Sequence, residues 1–232
     1  MTTTAHVLIT GVSRGIGLGL AEVFAQAGWT VHGVTRKRSG NAALDELSQR
    51  YGAQIQLIEC DLDQPDAVAT IRQALGQQTL RVALFNAGIY GPSHQDIKQT
   101  TSADVGQLFY TNAIAPIALA QHLAPQVENG GAIAFISSQM ASLGLNLATP
   151  VPLYGASKSA LNSLLLSWSS SLEQLPWSLL ALHPGWVRTA MGGENAMLSV
   201  EQSAQGLYQV IQSYLGRNER AFVDYQGHAM PW

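Results

Sequence analysis

The sequence predicts an α/β protein built on one doubly wound, seven-stranded parallel sheet with helices on both faces. Short β-branched or apolar runs alternate with longer segments of helical periodicity, which is the pattern expected of such a sheet. A chain of 232 residues is long enough for one substantial core without splitting. We therefore expect residues 1–232 to form a single domain.

Each predicted strand is a short run of apolar or β-branched residues. The strands are His6 to Thr10, Thr30 to Val34, Ile55 to Glu59, Val82 to Asn86, Ala132 to Ser137, Ser178 to His183 and Ala221 to Val223. Helices are predicted at Gly17 to Ala27, Asn41 to Tyr51, Pro65 to Leu75, Asp104 to Ala124, Tyr154 to Gln174 and Val200 to Ser213. Long loops near 90–100, 139–153 and 186–199 are candidates for substrate contacts, because functional residues concentrate in such loops.

Composition excludes several classes of partner. A net charge of -3 and a pI near 6.0 leave no basic footprint for nucleic acid or an anionic membrane, so a small-molecule partner is expected. Only 12% of residues are charged and 47% are hydrophobic, which is compatible with self-association. The start "MTTTAHVLIT" has no basic segment followed by a long apolar run, and we expect a cytoplasmic protein.

Neither a disulfide nor a metal site is expected. Cys60 is the only cysteine, which excludes an intrachain disulfide and a cysteine-based zinc site. The six histidines show no ligand spacing with carboxylates, so no metal is predicted. His183 ends a predicted strand, where packing or hydrogen bonding explains it better than acid/base chemistry.

A glycine-rich loop follows the first strand in "HVLITGVSRGIG", with Gly11, Gly15 and Gly17 spaced G-x-x-x-G-x-G. Glycines at such a site allow a tight turn and let backbone N–H groups approach a pyrophosphate at a helix N-terminus. Plain turn chemistry is the alternative. The strand–loop–helix context favours a nucleotide.

The second strand ends "VTRKR", at the distance where an NAD-binding domain usually carries an acidic residue for the ribose. Thr35 stands there instead, and Arg36 follows it with a planar charged group suited to phosphate. Arg14, within the glycine loop, is a second candidate for the same phosphate. A solvated basic turn is the alternative interpretation. Two arginines from separate segments favour NADP(H) over NAD(H).

The stretch "YGASK" places Tyr154 and Lys158 on one helix face. A free phenol has a pKa near ~10, and a neighbouring ammonium is expected to lower it, making the tyrosine a workable acid/base. Ser138, after the apolar strand "AIAFIS", is placed to hydrogen-bond the same substrate oxygen. Each of these residues, and Asn112 in "YTNAIAP", also has a purely structural explanation.

Taken together, the motifs resemble those of the short-chain dehydrogenase/reductase family over nearly the whole chain. The shared segments are "TGVSRGIG", "CDL", "NAG", Asn112, "ISS", "YGASK" and "HPGWVRT", in the family's order. The long loop after Ser138 and the ending "FVDYQGHAMPW" resemble the C-factor and sniffer-like carbonyl reductase subgroup. This loop is longer than the family's usual one, and whether Ser137 or Ser138 points into the site stays open.

The resemblance implies a Rossmann-type fold and an NADP(H)-dependent oxidoreductase that interconverts a carbonyl and an alcohol. It implies Asn112, Ser138, Tyr154 and Lys158 as the catalytic set, with Asn112 in a distorted helix that holds a proton-relay water. The expected cofactor-binding residues are Gly11, Ser13, Arg14, Gly15, Ile16, Gly17, Arg36, Asp61, Leu62, Asn86, Ala87, Gly88, Tyr154, Lys158, Pro184, Gly185, Val187 and Thr189.

The same resemblance implies a homodimer or homotetramer, with Phe109, Leu165, Leu166 and Trp168 as candidates for either the interface or the core. Trp186, Met191 and Met197 in the third loop suggest an apolar substrate or simply the loop's own packing. A cofactor-binding signalling protein without turnover is the rival hypothesis. A sugar-nucleotide epimerase is disfavoured, because little chain remains after "HPGWVRT" for a sugar-binding region.

Overall fold

The computed structural model describes residues 4–232, which form one seven-stranded, all-parallel sheet of order β3-β2-β1-β4-β5-β6-β7. The predicted α/β class and doubly wound topology are thereby confirmed. The strands are β1 (His6–Thr10), β2 (Thr30–Thr35), β3 (Ile55–Glu59), β4 (Leu80–Phe85), β5 (Val127–Ile136), β6 (Ser178–His183) and β7 (Arg220–Asp224).

The described part of the chain contains seven α-helices, and six of them cover the two faces of the sheet. They are α1 (Gly15–Gln26), α2 (Ala42–Tyr51), α3 (Ala67–Leu75), α4 (Ser102–Phe109), α5 (Ala115–Leu123), α6 (Pro152–Ser170) and α7 (Val200–Tyr214). Helices α1, α2 and α7 pack on one face, and α3, α5 and α6 on the other, which gives two apolar cores. Within residues 4–232, no helix combines the length and the apolar character required of a membrane span.

Three elements differ most from the prediction. Strand β5 begins at Val127 rather than Ala132, since Val127 pairs with Leu80 of β4 and the register shifts before Ala132 pairs with Val82. Helix α6 runs from Pro152 to Ser170 rather than from Tyr154 to Gln174. The predicted helix from Asp104 to Ala124 is interrupted by a π-helical turn at Tyr110–Ile114. Such turns recur at functional sites, and this one contains Asn112.

Helix α6 contributes its apolar side to the core. Leu165 and Trp168 are 0% and 8% exposed and belong to the core cluster beneath the helix, so the core interpretation holds for both. Leu166 and Phe109 are only partly buried. They stay candidates for the predicted contact between subunits.

The strand order reverses between β1 and β4, since β1 pairs with β2 on one side and β4 on the other. In open parallel sheets, ligands bind in the crevice formed where the strand order reverses, at the carboxyl ends of the strands. The glycine loop follows β1 and "NAG" follows β4, so both motifs lie at this crevice.

Candidate active site

A single cleft of about 970 Å³ lies over the carboxyl ends of the strands and gathers the predicted site residues. All of them line it except Gly17 and Asn112, which lie behind its wall. The lining members are Gly11, Ser13, Arg14, Gly15, Ile16, Arg36, Asp61, Leu62, Asn86, Ala87, Gly88, Ser138, Tyr154, Lys158, Pro184, Gly185, Val187 and Thr189. Segments far apart in the sequence therefore form one site.

The glycine loop turns sharply into helix α1. Gly11 and Gly15 have φ values of +75° and +57°, which glycine adopts without steric cost. The N–H groups of Gly11 and Val12 donate to the Val34 carbonyl at 2.9 and 3.2 Å, which brings the loop against the end of β2. Helix α1 has no side-chain cap and no acidic residue in its first turn, so its N-terminal N–H groups are available to an anion.

Gly17 and Asn86 pack against the glycine loop and stabilise its conformation. A Cβ at Gly17 would lie 2.2 Å from the Gly11 carbonyl oxygen and 2.4 Å from Asn86 Nδ2. The Asn86 amide donates to the carbonyls of Thr10 and Gly11, at 3.1 Å each. Asn86 lines the cleft, but its amide hydrogen bonds hold the loop in shape.

The two predicted phosphate-binding arginines lie in different loops, Arg14 in the glycine loop after β1 and Arg36 in the turn after β2. Arg14 and Arg36 are both exposed and both line the cleft. Neither makes an ion pair with another residue within 4–232. Thr35 is buried, and its hydroxyl donates to the Lys37 carbonyl at 3.0 Å, which folds the turn. No carboxylate occupies the position where an NAD-binding domain would hold the ribose.

The loop after β6 closes the far wall of the cleft through its own hydrogen bonds. Arg188 donates to the carbonyls of Ala196 and Met197 at 2.9 and 3.0 Å, and the Trp186 indole donates to Gly192 at 2.8 Å. Trp186, Met191 and Met197 still expose much of their surface, at 52%, 47% and 78%. Trp186 and Met191 line the cleft and present apolar side chains at its mouth, whereas Met197 does not line it.

His183 also lines the cleft, between β6 and this loop. Its Nδ1 atom is buried without a hydrogen-bond partner among the described residues. Burial lowers the pKa of His183 to about 4, against the opposing effect of Asp224, so the imidazole is neutral at pH 7. A neutral, buried ring agrees with the packing role expected for it.

Tyr154 and Lys158 stand one turn apart on α6. Lys158 Nζ is buried, donates to the Ile136 carbonyl at 2.8 Å and lies 5.9 Å from the centre of the Tyr154 ring. Burial lowers the pKa of Lys158 to about 8 and raises the pKa of Tyr154 to about 12. The expected lowering of the phenol pKa is therefore wrong, because desolvation by burial is the largest influence on Tyr154 and raises its pKa.

The two serines after β5 point in different directions. The Ser137 hydroxyl donates to Asn162 Oδ1 at 2.7 Å in a buried pair. The Ser138 hydroxyl lies close enough to the Tyr154 phenol to oppose the rise in the pKa of Tyr154, and the Ser138 Oγ accepts from the Met140 N–H at 3.1 Å. Ser138 is the serine that faces the tyrosine.

Asn112 occupies the π-helical turn behind the cleft. Its side-chain oxygen accepts from the Ile89 N–H and its amide donates to the Ile89 carbonyl, both at 2.8 Å. The same amide donates to the Ser157 hydroxyl at 3.0 Å. Asn112 thus ties the segment after β4 to helix α6.

Sequence reasoning missed two residues of the site. The Tyr90 ring stacks on the Tyr154 ring, with centroids 5.7 Å apart and planes 24° from parallel. Gln95 is buried and its side chain accepts a hydrogen bond from the Tyr154 backbone N–H at 2.9 Å. The available signal was the position of Tyr90 just after "NAG"; nothing local singles out Gln95.

The doubly wound sheet, the glycine loop at its crevice and the tyrosine–lysine pair in the same cleft define a nicotinamide-dinucleotide-dependent oxidoreductase. A profile of the short chain dehydrogenase family matches residues 5–197. The chain belongs to this family, which confirms the resemblance predicted from the motifs.

Three known proteins are similar to this chain in sequence or structure. C-signal of Myxococcus xanthus is 33% identical over 153 residues, covering 65% of this chain and 92% of that protein. A carbonyl reductase from Pseudomonas aeruginosa PAO1, crystallised in complex with NADP, is 50% identical, covers 99% of this chain and 100% of that one, and gives a TM-score of 0.95. The carbonyl reductase Sniffer of D. melanogaster is 31% identical with the same coverage and a TM-score of 0.87.

Proposed function

We propose that this protein is an NADP(H)-dependent reductase that converts a carbonyl compound to an alcohol, with Tyr154 as the proton donor. The observation that carries the proposal is the meeting of Tyr154, Lys158 and Ser138 with the glycine loop in one cleft. Similarity to carbonyl reductases solved with NADP supports the same cofactor and reaction class. The substrate is a small molecule.

The residues of the cleft fit a nicotinamide dinucleotide. The open N-terminus of α1, with Gly11 and Gly15 at positive φ, suits the pyrophosphate, and Arg14 and Arg36 suit a 2'-phosphate. Lys158 has three N–H donors and one protein acceptor, which leaves donors for ribose hydroxyls. When bound, the reduced cofactor supplies the hydride.

Tyr154 and Ser138 act on the substrate oxygen. A phenol with a pKa of about 12 stays protonated at neutral pH and has a proton to give to an oxygen that becomes negative. The Ser138 hydroxyl, which already faces the phenol, donates a second hydrogen bond to that oxygen. The cationic Lys158 stabilises the phenolate that remains after proton transfer.

Asn112 supports this set from behind the cleft. Its hydrogen bonds to Ile89 and Ser157 keep the π-helical turn and helix α6 together. A proton-relay water held by this turn, as the family resemblance implies, would return a proton to Tyr154 after each cycle. Asn112 therefore belongs to the proposed catalytic set through the turn that contains it.

Replacing Arg36 by alanine tests the cofactor choice. We expect Arg36→Ala to weaken NADPH binding by about 10- to 100-fold, since one charge-assisted contact to phosphate is lost, and to leave NADH binding unchanged. Titration of nicotinamide fluorescence measures both affinities. Arg38→Ala, in the same exposed turn, is the matched control and should retain wild-type affinity. Equal losses for NADPH and NADH would contradict the phosphate role of Arg36.

The pKa of Lys158 predicts a pH dependence of cofactor binding. Because burial lowers this pKa to about 8, the ammonium loses its proton as the pH rises through that value, and NADPH affinity should fall above it. Fluorescence titrations across this range in wild type and Lys158→Met provide the test. The variant, whose buried side chain carries no charge, should show a flat profile, whereas identical slopes in both proteins would rule out Lys158 as the cause.

A cofactor-binding signalling protein is the second candidate. The 33% identity to C-signal is the observation in its favour. The intact set of Ser138, Tyr154 and Lys158 argues for turnover. Tight NADPH binding without reduction of any compound in a broad carbonyl panel would favour the signalling role.

A further inference from the structure

Gln95 is a buried polar residue in an unfavourable backbone conformation. Its φ is +50°, and the other two non-glycine residues with positive φ in the described chain are both asparagines. Asparagine tolerates this region, but a longer side chain such as glutamine does so at a cost. Gln95 is 5% exposed although it lies in a loop of mostly exposed residues. A strained and buried glutamine is retained only where the surrounding structure over-determines it.

Every polar group of the Gln95 side chain has a partner. Its Nε2 donates to the carbonyls of Tyr90 at 3.0 Å and Pro92 at 2.9 Å, and its Oε1 accepts from the Tyr154 N–H at 2.9 Å. Two carbonyls and one N–H determine the orientation of the amide, because only Nε2 can donate and only Oε1 can accept. Gln95 therefore joins the loop after β4 to the start of α6.

Helix α6 depends on this contact for its first turn. Val151 precedes the helix and provides no side-chain cap, and Pro152 occupies the first helical position. Gly155 is the first residue whose N–H bonds back within the helix, to Val151 at 2.8 Å. The Tyr154 N–H is one of the orphan groups of a helix N-terminus, and Gln95 satisfies it from a distant segment.

The same side chain sets the position of both stacked tyrosines. Gln95 holds the Tyr90 carbonyl on one side and the Tyr154 N–H on the other, while the two rings lie 5.7 Å apart. Asn112 fixes the neighbouring Ile89 in the same segment. The backbone of Tyr154 is thus anchored where the phenol must meet the substrate oxygen.

We propose that Gln95 is a positioning residue of the active site: its amide clamps Tyr90 to Tyr154 and holds the phenol in the geometry needed for proton transfer. The inference rests on the proposed function in taking Tyr154 as the proton donor. Small displacements of a reacting group carry large kinetic costs. Gln95 acts through Tyr154, so its loss should affect turnover more than binding.

Gln95→Met removes the three hydrogen bonds and keeps the length of the side chain. We expect kcat for carbonyl reduction to fall about 10- to 100-fold, with substrate KM and NADPH affinity within about twofold of wild type. Gln99→Met is the matched control in the same loop, because the Gln99 amide donates only to Asp96 at the surface. A Gln95→Met enzyme with kcat within about twofold of wild type would overturn the inference. The inference would also be overturned if kcat and NADPH affinity fell by the same factor and the melting temperature fell with them.

Gln95→Glu provides a second variant whose defect is reversible. The neutral carboxyl accepts from the Tyr154 N–H and donates to one of the Tyr90 and Pro92 carbonyls, where the amide donates to both, whereas the carboxylate would face both carbonyls without a proton. The variant should retain most activity at low pH. It should lose activity as the carboxyl ionises, with an apparent pKa above the ordinary value of about 4.3. The absence of any such new ionisation in the kcat profile, with wild-type activity throughout, would contradict the clamp.

Hydrogen exchange separates this inference from the proposed function. In wild type the Tyr154 amide should be protected, and in Gln95→Met it should exchange at least about tenfold faster, while amides in the middle of α6 keep their protection. This readout needs no turnover. If the wild-type protein reduces no carbonyl compound, the proposed function fails. The rate of hydrogen exchange at the Tyr154 amide still shows whether Gln95 holds the start of α6. Unchanged exchange at Tyr154 in Gln95→Met would refute it.

Discussion

Replacing Tyr154 by phenylalanine is expected to lower kcat for carbonyl reduction by about 10²- to 10⁴-fold, the usual contribution of a general acid. The ring and its stack on Tyr90 are retained, and only the hydroxyl beside Ser138 is lost. Because the glycine loop and the arginines are untouched, NADPH affinity should change by no more than a few-fold. Initial rates at saturating NADPH, together with a fluorescence titration, measure both quantities.

Tyr208→Phe is the matched control for this experiment. Tyr208 packs edge-on against Phe24 in the core on the other face of the sheet, with ring centroids 4.9 Å apart. It does not line the cleft. The control should keep wild-type turnover. A Tyr154→Phe enzyme as active as this control would remove Tyr154 from the proton-donor role.

The second large effect is expected at Gly17. In Gly17→Ala the new Cβ would lie 2.2 Å from the Gly11 carbonyl oxygen, a backbone atom that moves only if the glycine loop moves. Overpacking of this kind costs about 3 kcal/mol. The loop would also leave the shape that suits a pyrophosphate. We expect a lower melting temperature together with loss of NADPH binding, measured by calorimetry and fluorescence titration.

Gly106→Ala supplies the comparison for this change. Gly106 lies within helix α4, and a Cβ there would meet no atom within 4 Å. Alanine is the better helix former, so this variant should be neutral or more stable by about 0.5–1 kcal/mol. If Gly17→Ala behaves like Gly106→Ala in stability and in NADPH affinity, the close packing of helix α1 on the loop does not control the site.

The fold could be predicted because its signals are local. Each strand is a short apolar run, and the glycine loop stands directly between a strand and a helix. Once the sheet is parallel and doubly wound, the carboxyl ends of β1, β4, β5 and β6 must lie at one edge, and the motifs that follow them share one cleft. The order of the strands and motifs in the sequence was therefore enough to predict that most of the site residues lie together.

Other features depend on contacts that the sequence does not state. Gln95 and Tyr154 are 59 residues apart in the sequence, and the polar loop around Gln95 has no pattern that sets this residue apart. The direction of the Tyr154 pKa shift is set by the degree of burial, which helical spacing alone does not reveal. The early start of β5 depends on its pairing with β4, in which Val127 lies beside Leu80. Local rules are weakest where tertiary packing decides.

The two pKa shifts agree with the starting state that the proposed carbonyl reduction requires. At neutral pH burial keeps Tyr154 protonated, while Lys158, with a pKa of about 8, is still largely charged. A protonated phenol beside a cation is the starting state for reduction of a carbonyl. The exposed Trp186 and Met191, which line the cleft, are the basis for including apolar carbonyl compounds among the substrates to be tested.

NADP(H)-dependent carbonyl reduction is best tested by measuring the rate of NADPH oxidation by the wild-type protein with a panel of apolar and polar carbonyl compounds. The assay is repeated with NADH, and the alcohol formed is analysed. We expect alcohol in equal amount to the NADPH consumed, formed faster with NADPH than with NADH, and lost in Tyr154→Phe. Tight NADPH binding with no alcohol formed from any compound in the panel would contradict this expectation.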